Sequence, residues 1–131
     1  MEKTFTNKTA YVVLTEVFNK LTERYLDTTD LPNPDVWGEE SYLIREGEVV
    51  DYKMVQISSE TDDNKYLFSQ LRYLIDKGEM EMIVIFDGLE IFCNQLDLND
   101  VISPNAIDDI VTYLIDNLEI VYEQYEQYKC E

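Results

Sequence analysis

In the first quarter of the chain apolar residues recur every three or four positions. Ala10, Leu14, Val17, Phe18, Leu21 and Tyr25 then share one side of a helix, predicted over about Lys8 to Asp27. Asn7 is suited to cap it. Glu16 and Lys20 have the order and spacing of a stabilising pair on its outer side. The helix stops before Thr28-Thr29-Asp30-Leu31-Pro32-Asn33-Pro34, because the two prolines cannot continue it.

The period then changes. Tyr42 to Arg45 and Val49 to Ile57, rich in β-branched and aromatic residues and parted by Glu46-Gly47-Glu48, predict a hairpin. Ser58 to Asp63 offers capping side chains. After them Leu67, Leu71, Leu74 and Ile75 return to helical spacing, which predicts a second helix over Asp63 to Lys77 with Gly78 as its C′ residue. Met80 to Phe86, the turn pair Asp87-Gly88 and Leu89 to Cys93 form the clearest hairpin. Its outgoing strand is apolar almost throughout, so it belongs where both faces are covered. A last helix starts near Ser103-Pro104 and reaches Tyr125 or beyond, with Ile107, Ile110, Val111, Leu114, Ile115, Leu118, Val121, Tyr122 and Tyr125 forming one wide apolar face. The order α-β-β-α-β-β-α over residues 1–131 reads as one α+β domain, an antiparallel four-stranded sheet from two hairpins packed with helices.

Composition changes the picture in two ways. There is no histidine and there are only two cysteines, Cys93 and Cys130. Mixed Cys/His zinc sites, Ser-His-Asp triads and Cys-His dyads are therefore excluded, no disulfide framework suggests itself, and no cofactor is expected. No run approaches the roughly 18 apolar residues of a membrane span, and Met1-Glu2-Lys3-Thr4 does not open a signal peptide, so the expected location is the cytoplasm.

The second change is charge. The net charge is −18, and from Gly78 to Tyr128 there are twelve carboxylates and no Lys or Arg. Such a surface repels nucleic acid and anionic membrane and attracts basic proteins. On the last helix Asp109, Asp116, Glu119, Glu123 and Glu126 step along the side opposite the apolar face. The like-charge neighbours cost about 0.2–0.5 kcal/mol per pair, and the acids run to the end where the helix dipole disfavours them. Exposed helix faces are polar in any case, but the stripe is most easily understood if something basic binds it. From Asp109 to Glu126 it spans roughly 25 Å at 1.5 Å per residue. Duplex DNA of that length carries about 15 charges, so imitation of DNA would be partial. Further acids that could extend the stripe are Asp97, Asp100, Glu79, Glu81 and Glu90. A second acidic group, Asp35, Glu39, Glu40, Glu46, Glu48 and Asp51, accompanies Trp37, Tyr42 and Tyr52. Trp37 is read two ways, as a plug of the core under a loop or as an interface anchor. The partner-binding set is Asp109, Asp116, Glu119, Glu123, Glu126, Asp97, Asp100, Glu90 and Trp37.

Pro34-Asp35 followed by Asp51-Tyr52-Lys53 looks like the PD-(D/E)xK nuclease signature, in which two carboxylates hold Mg²⁺ and the lysine helps activate water. That spacing is permissive, and the chain has only ten Lys and Arg with which to hold a polyanion. Asp97-Leu98-Asn99-Asp100 begins like a calcium loop, but Val101 and Ile102 fall where a ligand and a glycine are required. No enzyme is expected. In size and charge the chain is similar to two groups of small acidic inhibitors. These are phage anti-defence proteins, including anti-CRISPR and anti-restriction proteins, and immunity proteins that neutralise a cognate nuclease toxin. The resemblance implies a basic protein partner, a nucleic-acid-binding enzyme, blocked by occupancy, with no direct binding of nucleic acid. The alternative of a different class is a non-inhibitory oligomeric or regulatory protein that associates through its tyrosines.

Overall fold

A computed structural model describes residues 6–97, 101 and 105–129. Helix α1 spans Asn7–Thr28, five strands follow as β1 (Asp35–Arg45), β2 (Glu48–Glu60), β3 (Tyr66–Leu74), β4 (Glu79–Phe86) and β5 (Leu89–Leu96), and helix α2 spans Ala106–Lys129. The strands form one open antiparallel meander in chain order. The α+β class is as expected; the four-stranded sheet and the α-β-β-α-β-β-α order are not. Among the described residues no helix is long and apolar enough to cross a membrane.

The predicted helix over Asp63–Lys77 is strand β3. Leu67, Ser69, Leu71 and Tyr73 point to one side, and Phe68, Gln70, Arg72 and Leu74 to the other. Both sides are covered, so the two-residue alternation vanishes and leaves leucines at accidentally helical spacing. Tyr66, Phe68 and Tyr73 favour the strand. Asn64 takes a positive φ in the turn before β3. Gly78 also has positive φ, and its N–H donates to the Leu74 carbonyl at 2.9 Å, closing a single tight turn where a helix end was expected. Strand β1 begins seven residues before the expected Tyr42, and Gly38 with Glu39 and Glu40 had masked that extension. Both hairpin turns, Glu46-Gly47 and Asp87-Gly88, have two consecutive positive φ values, which is the type I′ signature.

Helix α1 is capped by Thr6, whose hydroxyl accepts from the Thr9 N–H, rather than by Asn7. Both helices lie on one face of the sheet, over Val55, Ile57, Leu67, Leu71, Tyr73, Met80, Met82 and Val84. Lys20 pairs with Asp108 at 2.6 Å, not with Glu16, and Arg24 donates to the Thr112 hydroxyl at 3.1 Å. Both contacts join residues 88 apart, so α1 and α2 run parallel. The expected start of α2 at Ser103-Pro104 lies outside the described residues. Tyr25, fully buried, donates its hydroxyl to the Ser58 carbonyl at 2.7 Å and locks α1 onto β2; burial pushes its pKa up.

The middle of the other face is buried too, although no helix among the described residues covers it. Gln70 donates to Gln56 at 2.6 Å, Arg72 donates to Gln70 at 3.3 Å, and Arg72 and Arg45 flank Glu81 at 3.7 and 3.5 Å. Glu81 is 2% exposed and Arg72 8%. In a flat lattice Arg45 and Glu81 would lie three strand spacings, roughly 14 Å, across and about six residues, roughly 20 Å, along the sheet. No pair of side chains spans that. The end of the β1–β2 hairpin, which overhangs the last β2–β3 pair Tyr52–Leu74, therefore curls over this face. Val50, in that overhang, and Met54, Leu74 and Ile83 on the same face are all buried. Glu81→Ala leaves Arg72 buried without its counter-charge. It should lower the unfolding free energy by about 3 kcal/mol in urea titration, well beyond the effect of Arg45→Ala, whose side chain is partly solvated.

Candidate partner-binding surface

The sequence-selected acids that the structure describes separate into four places. Asp109 and Asp97 are exposed towards the end where α2 starts, Asp116 is exposed midway along α2, and Glu119, Glu123 and Glu126 occupy its last turns. Asp100 lies outside the described residues. Glu90 and Trp37 belong to the sheet face turned away from the helices, because they pair in register with Ile85 and Gln56 of that face. Glu81 cannot extend the stripe, being committed to Arg45 and Arg72. Glu79 accepts from Gln95 at 3.0 Å.

What joins the stripe comes from the loops. The Tyr125 hydroxyl donates to Asp63, while its ring packs on Phe86 at 4.8 Å and receives Lys65 at 5.7 Å. These contacts dock the end of α2 onto the β2–β3 and β4–β5 turns. The charges of Asp62 and Glu126 thereby act on Tyr122, those of Asp63, Asp87 and Glu126 act on Tyr125, and that of Asp30, just after α1, acts on Glu119. Lys65 sits among them, 3.8 Å from Asp87. Because α1 and α2 are parallel, the negative ends of both helix dipoles point to this same pole. At the far end Lys20 and Arg24 relieve the start of α2. The charge is therefore polarised along the molecule, which sequence spacing could not reveal.

The pole strains its own groups. Partial burial, then the charges of Asp116, Glu123 and Asp30, raise the Glu119 carboxyl above its ordinary 4.5. The bond to Asp63, then burial and the charges of Asp63, Glu126 and Asp87, push the Tyr125 phenol up to about 12. By contrast the Lys20 bond and charge hold Asp108 below the usual range. Tyr128, at 77% exposure, extends beyond this contact.

On the opposite face Trp37 neither plugs the core nor stands alone. Asp35, Trp37, Ser58, Glu60, Tyr66 and Phe68 alternate onto one side of three adjacent strands and line a cavity of about 240 Å³ with Asn33 and Ser59. Trp37 meets Phe68 edge-on, and Tyr66 lies parallel to Phe68, both with ring centroids 6.1 Å apart. Sequence reading missed Tyr66 and Phe68 because it placed them in a helix. On the same face Cys93 is exposed, and its thiol donates to Glu81 at 3.2 Å.

The nuclease-like pattern does not assemble. Asp51 lies opposite Tyr42, seven residues along β1 from Asp35, so the two carboxylates are roughly 23 Å apart along the strands, and they point to opposite faces. Of the two carboxylates of the calcium-like run, Asp97 is described and Asp100 lies outside the described residues. No family model, no curated protein and no solved structure matches the chain.

The Glu119 penalty has a definite pH sign. A raised carboxyl costs nothing while protonated in both states, and stability is lost as pH rises from the ordinary 4.5 through the folded value. Glu119→Gln should raise stability at pH 7 by about 0.2–0.5 kcal/mol and give no gain near about pH 3.5, read by urea denaturation at both. Burial, then the bond to and charge of Glu81 and the charge of Glu90, push the Cys93 thiol up to about 11. In a Cys130→Ser background it should therefore alkylate at pH 8 more than about tenfold slower than free cysteine, with Glu81→Gln restoring much of the rate.

Proposed function

We propose that the protein is a small acidic inhibitor that docks on the basic nucleic-acid-binding surface of a nuclease or another nucleic-acid enzyme. A broad acidic face suits a large groove, so a phage anti-defence role, anti-CRISPR or anti-restriction, is the form we favour; immunity against a cognate nuclease toxin would use the same mechanism. The observation that carries the reading is the docking of Tyr125 on Asp63 and Phe86, which brings the loop acids Asp62, Asp63 and Asp87 around the same end of α2 as Glu126, with Asp30 acting on Glu119. Carboxylates from two loops, a turn and a helix share one pole, where Asp116, Glu123 and Asp30 repel Glu119, and a basic partner would relieve that repulsion. Even with these additions the face holds fewer charges than the about 15 of an equal length of duplex. It is a partial mimic.

Under this reading long-range attraction steers the encounter, and inhibition follows from occupancy without chemistry. The residues proposed to carry it are Asp109, Asp116, Glu119, Glu123 and Glu126, with the loop acids beside them. Asp97 lies at the far end of the sheet and contributes only to the general field.

The test uses a tagged protein and a variant with those five helix residues changed to Asn or Gln. Each is incubated with nuclease-treated bacterial lysate and washed at low and high salt. The expected result is a nucleic-acid enzyme retained by the native protein, released by salt and not retained by the variant. That enzyme's cleavage or binding of DNA should then fall in proportion to added native protein. Equal retention by the variant, or a partner that resists salt and has no nucleic-acid activity, would overturn the reading.

A further inference from the structure

The cavity on the sheet face away from the helices has a chemistry of its own. Its floor is aromatic, from Trp37 and Phe68 with Tyr66 beside them, and its lining includes two carboxylates, Asp35 and Glu60. The face of an aromatic ring attracts a cation, and a carboxylate at the rim adds a charge-assisted hydrogen bond. Among the described residues no ion pair or ring contact brings a cation to the cavity. Arg45 and Arg72 are held at Glu81, Lys53 pairs with Glu40 and covers Tyr11, and Lys65 turns to Asp87 and Tyr125. Among the described residues neither Asp35 nor Glu60 is in an ion pair; Asp35 accepts only the Val36 N–H, at 2.9 Å.

We infer that this cavity receives the guanidinium of one arginine from a protein partner. Its 240 Å³ falls below the roughly 300–1,000 Å³ of pockets that enclose whole small molecules, so a single side chain is the better fit. Two carboxylates at the lining oppose phosphates and other anions. A guanidinium suits the site better than an ammonium, since it is planar, weakly hydrated, stacks on aromatic rings and pairs with carboxylates through a fork of donors. The cavity also lies next to the acidic pole: Glu60 leads directly into the turn that carries Asp62 and Asp63. An arginine seated among the rings would bring its basic neighbours onto Asp62, Asp63 and Asp87.

The source of the arginine rests on the basic-partner reading above, but the test needs no partner. Trp37 is the only tryptophan of the chain, so its emission reports on the cavity alone. At constant ionic strength the protein is titrated with millimolar N-acetyl-arginine amide, N-acetyl-citrulline amide, which has nearly the same shape without the charge, and N-acetyl-lysine amide. The expected result is a saturable change with the arginine derivative, weaker by about fivefold or more with lysine and absent with citrulline. The Asp35→Asn/Glu60→Gln double variant should bind about tenfold more weakly. Its unliganded emission and urea midpoint should match the native protein, which shows that the cavity is intact. No saturable change with arginine, an equal response to citrulline or lysine, or native affinity in the double variant would overturn the assignment. The α2 variant leaves Asp35 and Glu60 untouched, so failure of the stripe and failure of the cavity are separate results.

Discussion

The second face of this sheet depends on one buried carboxylate. Glu81 sits almost without solvent between Arg45 and Arg72, and the Cys93 thiol donates to its other oxygen. A charge withdrawn from water needs partners at close range. One of those partners stands at the end of a hairpin that would, in a flat sheet, be far beyond reach. Holding the ion cluster and curling the β1–β2 overhang are therefore a single event. That curl helps bury both faces of the three central strands, β2, β3 and β4.

The curl also explains why the aromatic cavity lies where it does. The overhang roofs the sheet at the end near Arg45 and leaves the opposite end, at Asp35, Ser58 and Tyr66, uncovered. Trp37, Phe68 and Tyr66 are the last large side chains before solvent on that side. The helices contribute by orientation: parallel packing sets their negative ends, the β2–β3 turn and the β4–β5 turn at one pole. Repulsion there is tolerated because Tyr125 spends its hydroxyl on Asp63 and its ring on Phe86 and Lys65.

Much of the framework was legible in the chain. Helix α1, the two I′ hairpins and the inward face of α2 follow from periodicity and turn chemistry that are local in sequence. Strand β3 was not legible. Its alternation is visible only when one face is wet, and here both are dry. That error also separated Phe68 and Tyr66 from Trp37, which concealed the cavity. Glu81 had been grouped with surface acids, since an isolated sequence gives no sign that two distant arginines converge on it.

By itself the sequence determined the acidity, the lack of histidine chemistry, the helix faces and the turns that place strands side by side, because each is a matter of composition or of residues within a few positions. Only the tertiary structure decided which acids act together. Electrostatic strength depends on distance and solvent, and those are set by the packing of α2 against turns some 40 to 60 residues away in the chain, as in the bond from Tyr125 to Asp63.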